Sequence, residues 1–290
     1  METENNSKGV GNREDKPKKS QRKRHGARNQ HRHKHFVKWI ANKFPNELKM
    51  AKEVMNEEGD STLPLHHILD VAGGKGELSA RMTLCHKLRV QMVDPRQADI
   101  YDCFQKHVFR SLPKKWQQKI DSQDPSQIQS VIERRFKQHV KFFPSDGGVN
   151  NDGSSILSNK NDGSNGVIEE LQSDKELLEA VKNCTLIIGM HADGATEAIV
   201  EIALHYRKPF IVVPCCVFPN LFRHRLVPMI DDNGKECGGD EAKMVPVRNH
   251  EQFCRYLAMK DSHFVVEELP FEGRNIGIWW DGKHKDQDPI

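Results

Sequence analysis

Apolar residues along this chain alternate between short unbroken runs and longer stretches in which they recur every three to four positions. The runs H-I-L-D-V (67–71), R-V-Q-M-V (89–93), H-V-K-F-F (139–143), T-L-I-I-G-M (185–190) and P-F-I-V-V-P-C (209–215) predict buried strands. F-V-V-E-E-L-P (264–270) and N-I-G-I-W-W-D (275–281) predict two more near the end of the chain. Helical spacing occupies the intervals. Phe36, Val37, Trp39, Ile40 and Phe44 form one such stretch, stopped by Pro45. Others run over Glu77–His86, Ile100–Gln138 with breaks at Pro113 and Pro125, Ile168–Lys182, Ala195–Tyr206 and His250–Lys260. Strands alternating with helices predict an α/β fold, a doubly wound and mainly parallel sheet covered on both faces. Only Phe271–Arg274 separate the last two strands, too few residues for a parallel crossover, so these two must close as an antiparallel hairpin.

Two stretches lack either periodicity. Residues 1–34 are Lys, Arg, Asn, Ser and Gln with almost no apolar side chains, which predicts a disordered basic tail. Residues 144–166, rich in Gly, Asn, Ser and Asp, predict a flexible insertion within a domain spanning 35–281, and 282–290 form a short polar tail. Charge divides along the same lines. Residues 1–38 carry 12 Lys/Arg against 4 Asp/Glu, although the whole chain has a formal charge of only +3, so the body is mildly acidic. The basic cluster at 16–35 suits contact with phosphates or a nuclear address, and His31, His33 and His35 alternate within it. Seven scattered cysteines without a C-x-x-C pair argue for a reducing compartment. No apolar run reaches the ~20 residues of a membrane span. The expectation is an intracellular protein, cytoplasmic or nuclear, with no membrane contact.

Candidate chemistry begins at D-V-A-G-G-K-G, Asp70 to Gly76, between a strand and a helix. Close backbone approach at the glycines and helix N–H groups aimed outward suit a nucleotide-like ligand. The spacing fails the phosphate-binding GxxxxGK[ST] pattern, since Lys75 is followed by Gly76. A dinucleotide GxGxxG fits poorly and does not account for an acid opening the loop. Asp94, 24 residues after Asp70, ends the second strand near the spacing of a ribose-binding acid. Acid, any residue, then small residues at alternate positions resembles the first motif of class I S-adenosylmethionine-dependent methyltransferases. Asp70, Ala72, Gly74 and Gly76 match it, with Ala72 in place of the usual first glycine, where positive φ would be forbidden. The resemblance implies S-adenosyl-L-methionine as cofactor, held by Asp70, Ala72, Gly73, Gly74, Gly76 and Asp94. Asp94 would grip the ribose hydroxyls and Asp70 would lie near the amino-acid moiety. Lys75 is expected to be a solvated loop residue.

The fourth and fifth strands end in G-M-H-A-D-G-A-T-E (189–197) and V-V-P-C-C-V-F-P (212–219), at the same sheet edge. His191 is a catalytic candidate as a proton acceptor near neutral pH, with Asp193, Cys215 and Cys216 as further candidates. Asp193 or Thr196 would otherwise cap the next helix, and the cysteines would otherwise be small buried hydrophobes. A strand ending in H-x-x-G followed by one ending in P-C-C resembles a branch of RNA-related methyltransferases. It implies an RNA acceptor, methylated at a ribose or base heteroatom, since the pyrimidine-C5 enzymes carry their Pro-Cys after the fourth strand. His191, Cys215 and Cys216 lack a fourth ligand at ordinary spacing, so no metal is expected. A non-catalytic cofactor- or RNA-binding module and a nicotinamide-dependent oxidoreductase are the alternatives. Oligomeric state is not legible.

Overall fold

The computed structural model describes residues 31–52, 66–122, 124–145, 163–230 and 243–283. The basic tail up to residue 30, the insertion from 146 to 162, Cys237 and residues 284–290 lie outside them. Seven strands form one sheet: β1 (His67–Val71), β2 (Val90–Val93), β3 (Phe136–His139), β4 (Cys184–Met190), β5 (Phe210–Val213), β8 (Val265–Glu268) and β9 (Ile276–Trp280). Their order is β3-β2-β1-β4-β5-β9-β8. The first five pair in parallel, while β9 runs antiparallel to both β5 and β8. The architecture is α/β and consistent with a Rossmann-like fold, with the terminal hairpin as expected. The chain reverses its progression across the sheet between β1 and β4, the switch point where open α/β sheets bind ligands.

Strands buried on both sides read as continuous apolar runs because successive side chains enter different cores. Ile68, Leu186, Ile188, Ile211 and Val213 pack with α1 (Arg32–Lys43), α2 (Pro45–Lys52) and the start of α3 (Glu77–Ala80). Leu69, Ile187, Phe210 and Val212 face the other way, onto α7 (Gly163–Ser173), α8 (Lys175–Asn183), α9 (Thr196–His205) and α10 (His250–Ala258). A third cluster joins α3 to α4 (Ile100–Cys103) and α6 (Pro125–Arg135) through Ala80, Ile100, Phe104, Ile128 and Ile132. Between α4 and α6, α5 (Lys114–Asp121) buries none of its residues. Both α3 and α4 continue into wide π-type turns, Arg81–Cys85 and Phe104–Val108.

Four expectations shift. The third strand is Phe136–His139, not 139–143, and it pairs Val90 with Phe136 through Val93 with His139. As an edge strand it needs only a backbone ladder, so its polar residues suffice, while Phe142 is exposed. The first helix begins at Arg32, inside the segment read as tail, where His33 pairs with Glu77 at 2.8 Å. The helix expected from Ile168 starts at Gly163 and breaks at Asp174, whose carboxylate accepts from the Leu177 N–H and starts α8 afresh. A small hairpin, β6 (Leu226–Pro228) with β7 (Met244–Pro246), occupies the stretch read as loop. Its three-residue strands are too short to leave a period. Among the described residues no helix is long and apolar enough to cross a membrane.

One charged group is buried in the packing beneath this hairpin. Glu197 on α9 receives Arg225 Nε at 2.6 Å and His224 Nε2 at 3.3 Å on Oε2, and Lys260 Nζ at 2.7 Å and the Tyr256 hydroxyl on Oε1. Arg225 is itself only 1 % exposed, sandwiched between the rings of Phe222 and Phe253. Removing one partner strands the other in a dry interior. Glu197→Ala should therefore cost about 3–5 kcal/mol in urea unfolding, whereas breaking the exposed pair Lys106–Asp102 by Lys106→Ala should leave the urea midpoint essentially unchanged.

Candidate functional site

Each parallel strand delivers its last residues to one edge, and the site is built from the ends of β1, β2, β4 and β5. The β1 and β2 backbones stay in register through Val71 and Val93, after which the Ala72 N–H donates to the Val93 carbonyl at 2.7 Å. That bond sends the chain into the glycine loop. Ala72 adopts φ +55°, so alanine here does take the left-handed conformation that the sequence reading had forbidden it, at a cost of roughly 1–2 kcal/mol. A Cβ on Gly73 would lie 2.5 Å from Met92 Sδ and 3.0 Å from an Asp70 oxygen, so only glycine fits there. Gly74 (φ +63°) turns its N–H onto Asp94 Oδ2 at 2.8 Å, and Gly76 leads into α3. Lys75 is exposed, as expected.

The two acids are brought together but play different parts. Asp70 is 1 % exposed and takes a hydrogen bond from Ser79 Oγ at 2.6 Å. Burial, opposed by Ser79 and reinforced by nearby Asp94, raises its pKa to about 7. Asp94 accepts from Gly74, from the Arg96 N–H at 2.9 Å and from Arg96 Nε at 3.1 Å. The Arg96 side chain is 75 % exposed and lies over a carboxylate that is 2 % exposed. Gln138 on β3 fixes this turn, accepting from the Ala98 N–H at 3.0 Å and donating to the Arg96 carbonyl at 2.8 Å. Arg96, Ser79 and Gln138 were not singled out in the sequence. D-P-R, with a cation two residues beyond the strand-end acid, was the available signal for Arg96.

At the other half of the edge, His191 N–H donates to the Val213 carbonyl at 3.0 Å, then the chain turns sharply with φ +60° at His191 and +47° at Asp193. Such values in non-glycine residues store strain and cluster where geometry is constrained by function. The turn directs the Asp193 side chain away from α9, so neither Asp193 nor Thr196 acts as a side-chain N-cap. Cys215 Sγ instead donates to Asp193 Oδ1 at 3.0 Å, and Cys216 Sγ lies 3.5 Å from Cys215 Sγ. Neither cysteine is fully buried: Cys215 is partly exposed and Cys216 exposed. His250, at the start of α10, contacts the Pro214 carbonyl at 3.0 Å and braces this turn.

Electrostatics alters the role of His191. Burial, then the charges of Arg32 and His33, lowers its pKa to about 4. At neutral pH the ring is uncharged and a weak base, so the expected proton acceptor near neutrality is not what this environment makes. Burial and the adjacent Asp193 push the Cys215 thiol well above its ordinary range, leaving little thiolate for nucleophilic attack. Arg96 lies close enough to Asp193 to feel its charge, so the two halves of the edge face one another. Of the histidines in the tail, His33 is committed to Glu77 and His31 lines a small polar cavity with Lys106 and Arg110.

Asp70 carries a pH prediction. Its folded pKa, about 7 against an ordinary 3.8, means the native state holds a proton that the unfolded chain releases. Stability should therefore fall as pH rises from about 4 to about 7, by up to ~4 kcal/mol, and stay flat above. Asp70→Asn should remove this slope in denaturant unfolding followed across that range.

No protein-family model matches the chain, and no curated protein matches it. A crystal structure of a protein from Corynebacterium glutamicum aligns over 87 % of this chain and 90 % of its own, at 9 % identity and a TM-score of 0.34. A likeness of that size transfers no chemistry.

Proposed function

We propose that this chain is an S-adenosylmethionine-dependent methyltransferase whose acceptor is a ribose or base heteroatom of RNA. One observation carries the reading: the strand-end acid of β2, Asp94, is drawn onto the Gly74 N–H of the loop that follows β1, at the switch point of the sheet. An acid and a glycine loop so joined form a cradle for a nucleoside with vicinal hydroxyls. The donor set fits the cofactor. Asp94 offers two oxygens, a Cβ on Gly74 would face Arg96 on the open side of the loop, and Asp70 lies beneath as a buried carboxyl. The strand order, with the last strand inserted antiparallel beside β5, agrees with the methyltransferase resemblance noted in the sequence.

When bound, the cofactor supplies an electrophilic methyl group; the remaining contributions are the chain's own. Asp94 exchanges its Arg96 partner for ribose hydroxyls. Neutral His191 orients an acceptor by hydrogen bonding rather than by holding a proton, and proximity supplies much of the rate. The scarcity of thiolate at Cys215 favours a heteroatom acceptor over pyrimidine C5, which requires covalent addition. RNA is supported by where the basic segment joins the domain. The described chain starts at His31, with His33 bonded to Glu77 directly after the glycine loop and Arg32 within electrostatic reach of His191. The remaining cations of the basic cluster, 16–30, precede that point directly in the sequence.

Calorimetry should show S-adenosylmethionine binding and no NAD binding; the reverse overturns the reading. Asp94→Ala should weaken cofactor affinity by about 1–3 kcal/mol, since buried ribose donors lose their acceptors, and Gly74→Val should abolish it while circular dichroism stays native. Deleting residues 1–30 should leave cofactor affinity intact. Affinity for RNA should drop and lose most of its salt dependence, because the cations are concentrated there. An unchanged salt slope would move the RNA contact onto the domain.

A further inference from the structure

Asp193, Cys215 and Cys216 form a cluster of one carboxylate and two thiols whose potential ligand atoms all lie within 4.8 Å of one another. The sequence pointed to His191 as the companion of the cysteines and found the set incomplete. The fold substitutes Asp193, because the turn after β4 carries its side chain across to the end of β5. We propose that these three residues bind one zinc ion, with the fourth tetrahedral position open to solvent at the sheet edge.

Three features carry the assignment. The first is spacing. Tetrahedral zinc with sulfur at about 2.3 Å and oxygen at about 2.0 Å sets ligand atoms roughly 3.5–3.8 Å apart. Asp193 Oδ1 to Cys215 Sγ is 3.0 Å and the two sulfurs are 3.5 Å apart, so these two edges need open by only a few tenths of an ångström, while Asp193 and Cys216 lie within 4.8 Å. The second is donor type. Two sulfurs and one carboxylate oxygen favour a borderline-soft divalent ion over calcium or magnesium, which take oxygen alone. The third is access and charge. Cys216 is exposed and Asp193 is exposed, so an ion has an entry path. A divalent cation displaces both thiol protons to solvent and leaves a set of two thiolates and one carboxylate of charge −1 with the metal. Three protein ligands and an open position is the pattern of a reactive rather than a purely structural zinc. The assignment is independent of the methyl-transfer reading, and its test uses no methyl donor.

The reduced, metal-stripped full chain is titrated with Zn2+ against a chromophoric chelator, and separately with Co2+. The expected result is one equivalent bound, about two protons released per ion, and a sulfur-to-cobalt charge-transfer absorption typical of two thiolates. Cys215→Ser, Cys216→Ser and Asp193→Asn should each weaken zinc at least tenfold, and the cysteine variants should lose cobalt absorption. Cys85→Ser, remote on the π-turn that follows α3, should behave as wild type. Circular dichroism and urea midpoints of each variant separate lost ligation from lost fold, and the wild-type cobalt spectrum stands without any variant. Zinc binding without sulfur-to-cobalt absorption, or binding unchanged by both cysteine substitutions, overturns the site and moves the ion to histidines such as those at 31–35. No binding, or a Cys215–Cys216 disulfide that persists in reductant, also overturns it.

Discussion

Glu197 has 2 % of its surface exposed, and three segments distant in sequence converge on its carboxylate. Arg225 arrives from the long connection after β5, Lys260 and Tyr256 from the end of α10, and Glu197 itself belongs to α9. Burial alone would raise the pKa of this carboxyl; the hydrogen bond from His224 and the charges of Lys260 and Arg225 outweigh it and hold it well below the usual range. Ionised and saturated, it is an anchor that a purely apolar contact would not replace, because it fixes direction as well as proximity. Arg225 also donates to the Val217 carbonyl at 3.1 Å, so the same network tethers the turn carrying Cys215 and Cys216. The geometry of one half of the sheet edge thus depends on a charge several residues removed from it.

The other half is held by backbone rather than by charge. Parallel pairing of β1 with β2 leaves Asp70 and Asp94 on adjacent strand ends, and the loop between them closes through N–H groups. Non-glycine residues in the left-handed region stand at both halves, Ala72 on one and His191 with Asp193 on the other. Their combined strain amounts to a few kcal/mol, held by the surrounding sheet. The edge is accordingly the part of the molecule where local conformational preference yields to placement of side chains.

Much of this was legible in the sequence, for identifiable reasons. Strands buried on both faces, such as Leu186–Ile188, announce themselves as apolar runs, and the heptad from Asp70 needs only its strand-turn-helix setting to be recognised. β3 was misplaced because an edge strand requires no apolar residue, and the eye was drawn to Phe142 and Phe143 instead. β6 and β7 were invisible because three residues carry no period. The partners of Glu197 lie 27 to 63 positions away, beyond any pattern in a single chain. His191 and Asp193 were placed at the right edge, but their protonation and direction follow from burial and from turn geometry, neither of which residue spacing encodes. Arg96 was overlooked for a simpler reason: a cation two residues past an acid reads as ordinary surface.

The Arg96–Asp94 contact gives the resting site a particular economy. Under the proposed function, ribose hydroxyls would compete for the two Asp94 oxygens that Arg96 holds. Arg96 acts as a placeholder, meeting the buried acid from the solvent side with a side chain that is 75 % exposed. The guanidinium end of the pair is solvated, so its release costs less than breaking a wholly buried pair. Vacating the seat is therefore cheap, and the guest inherits oxygens already aligned by Gly74 rather than having to organise them. If the proposed function holds, occupancy is an exchange between two partners for one acceptor, so ionic strength, by loosening the cation, would ease entry of an uncharged ribose even as it weakens the hold on any polyanionic acceptor.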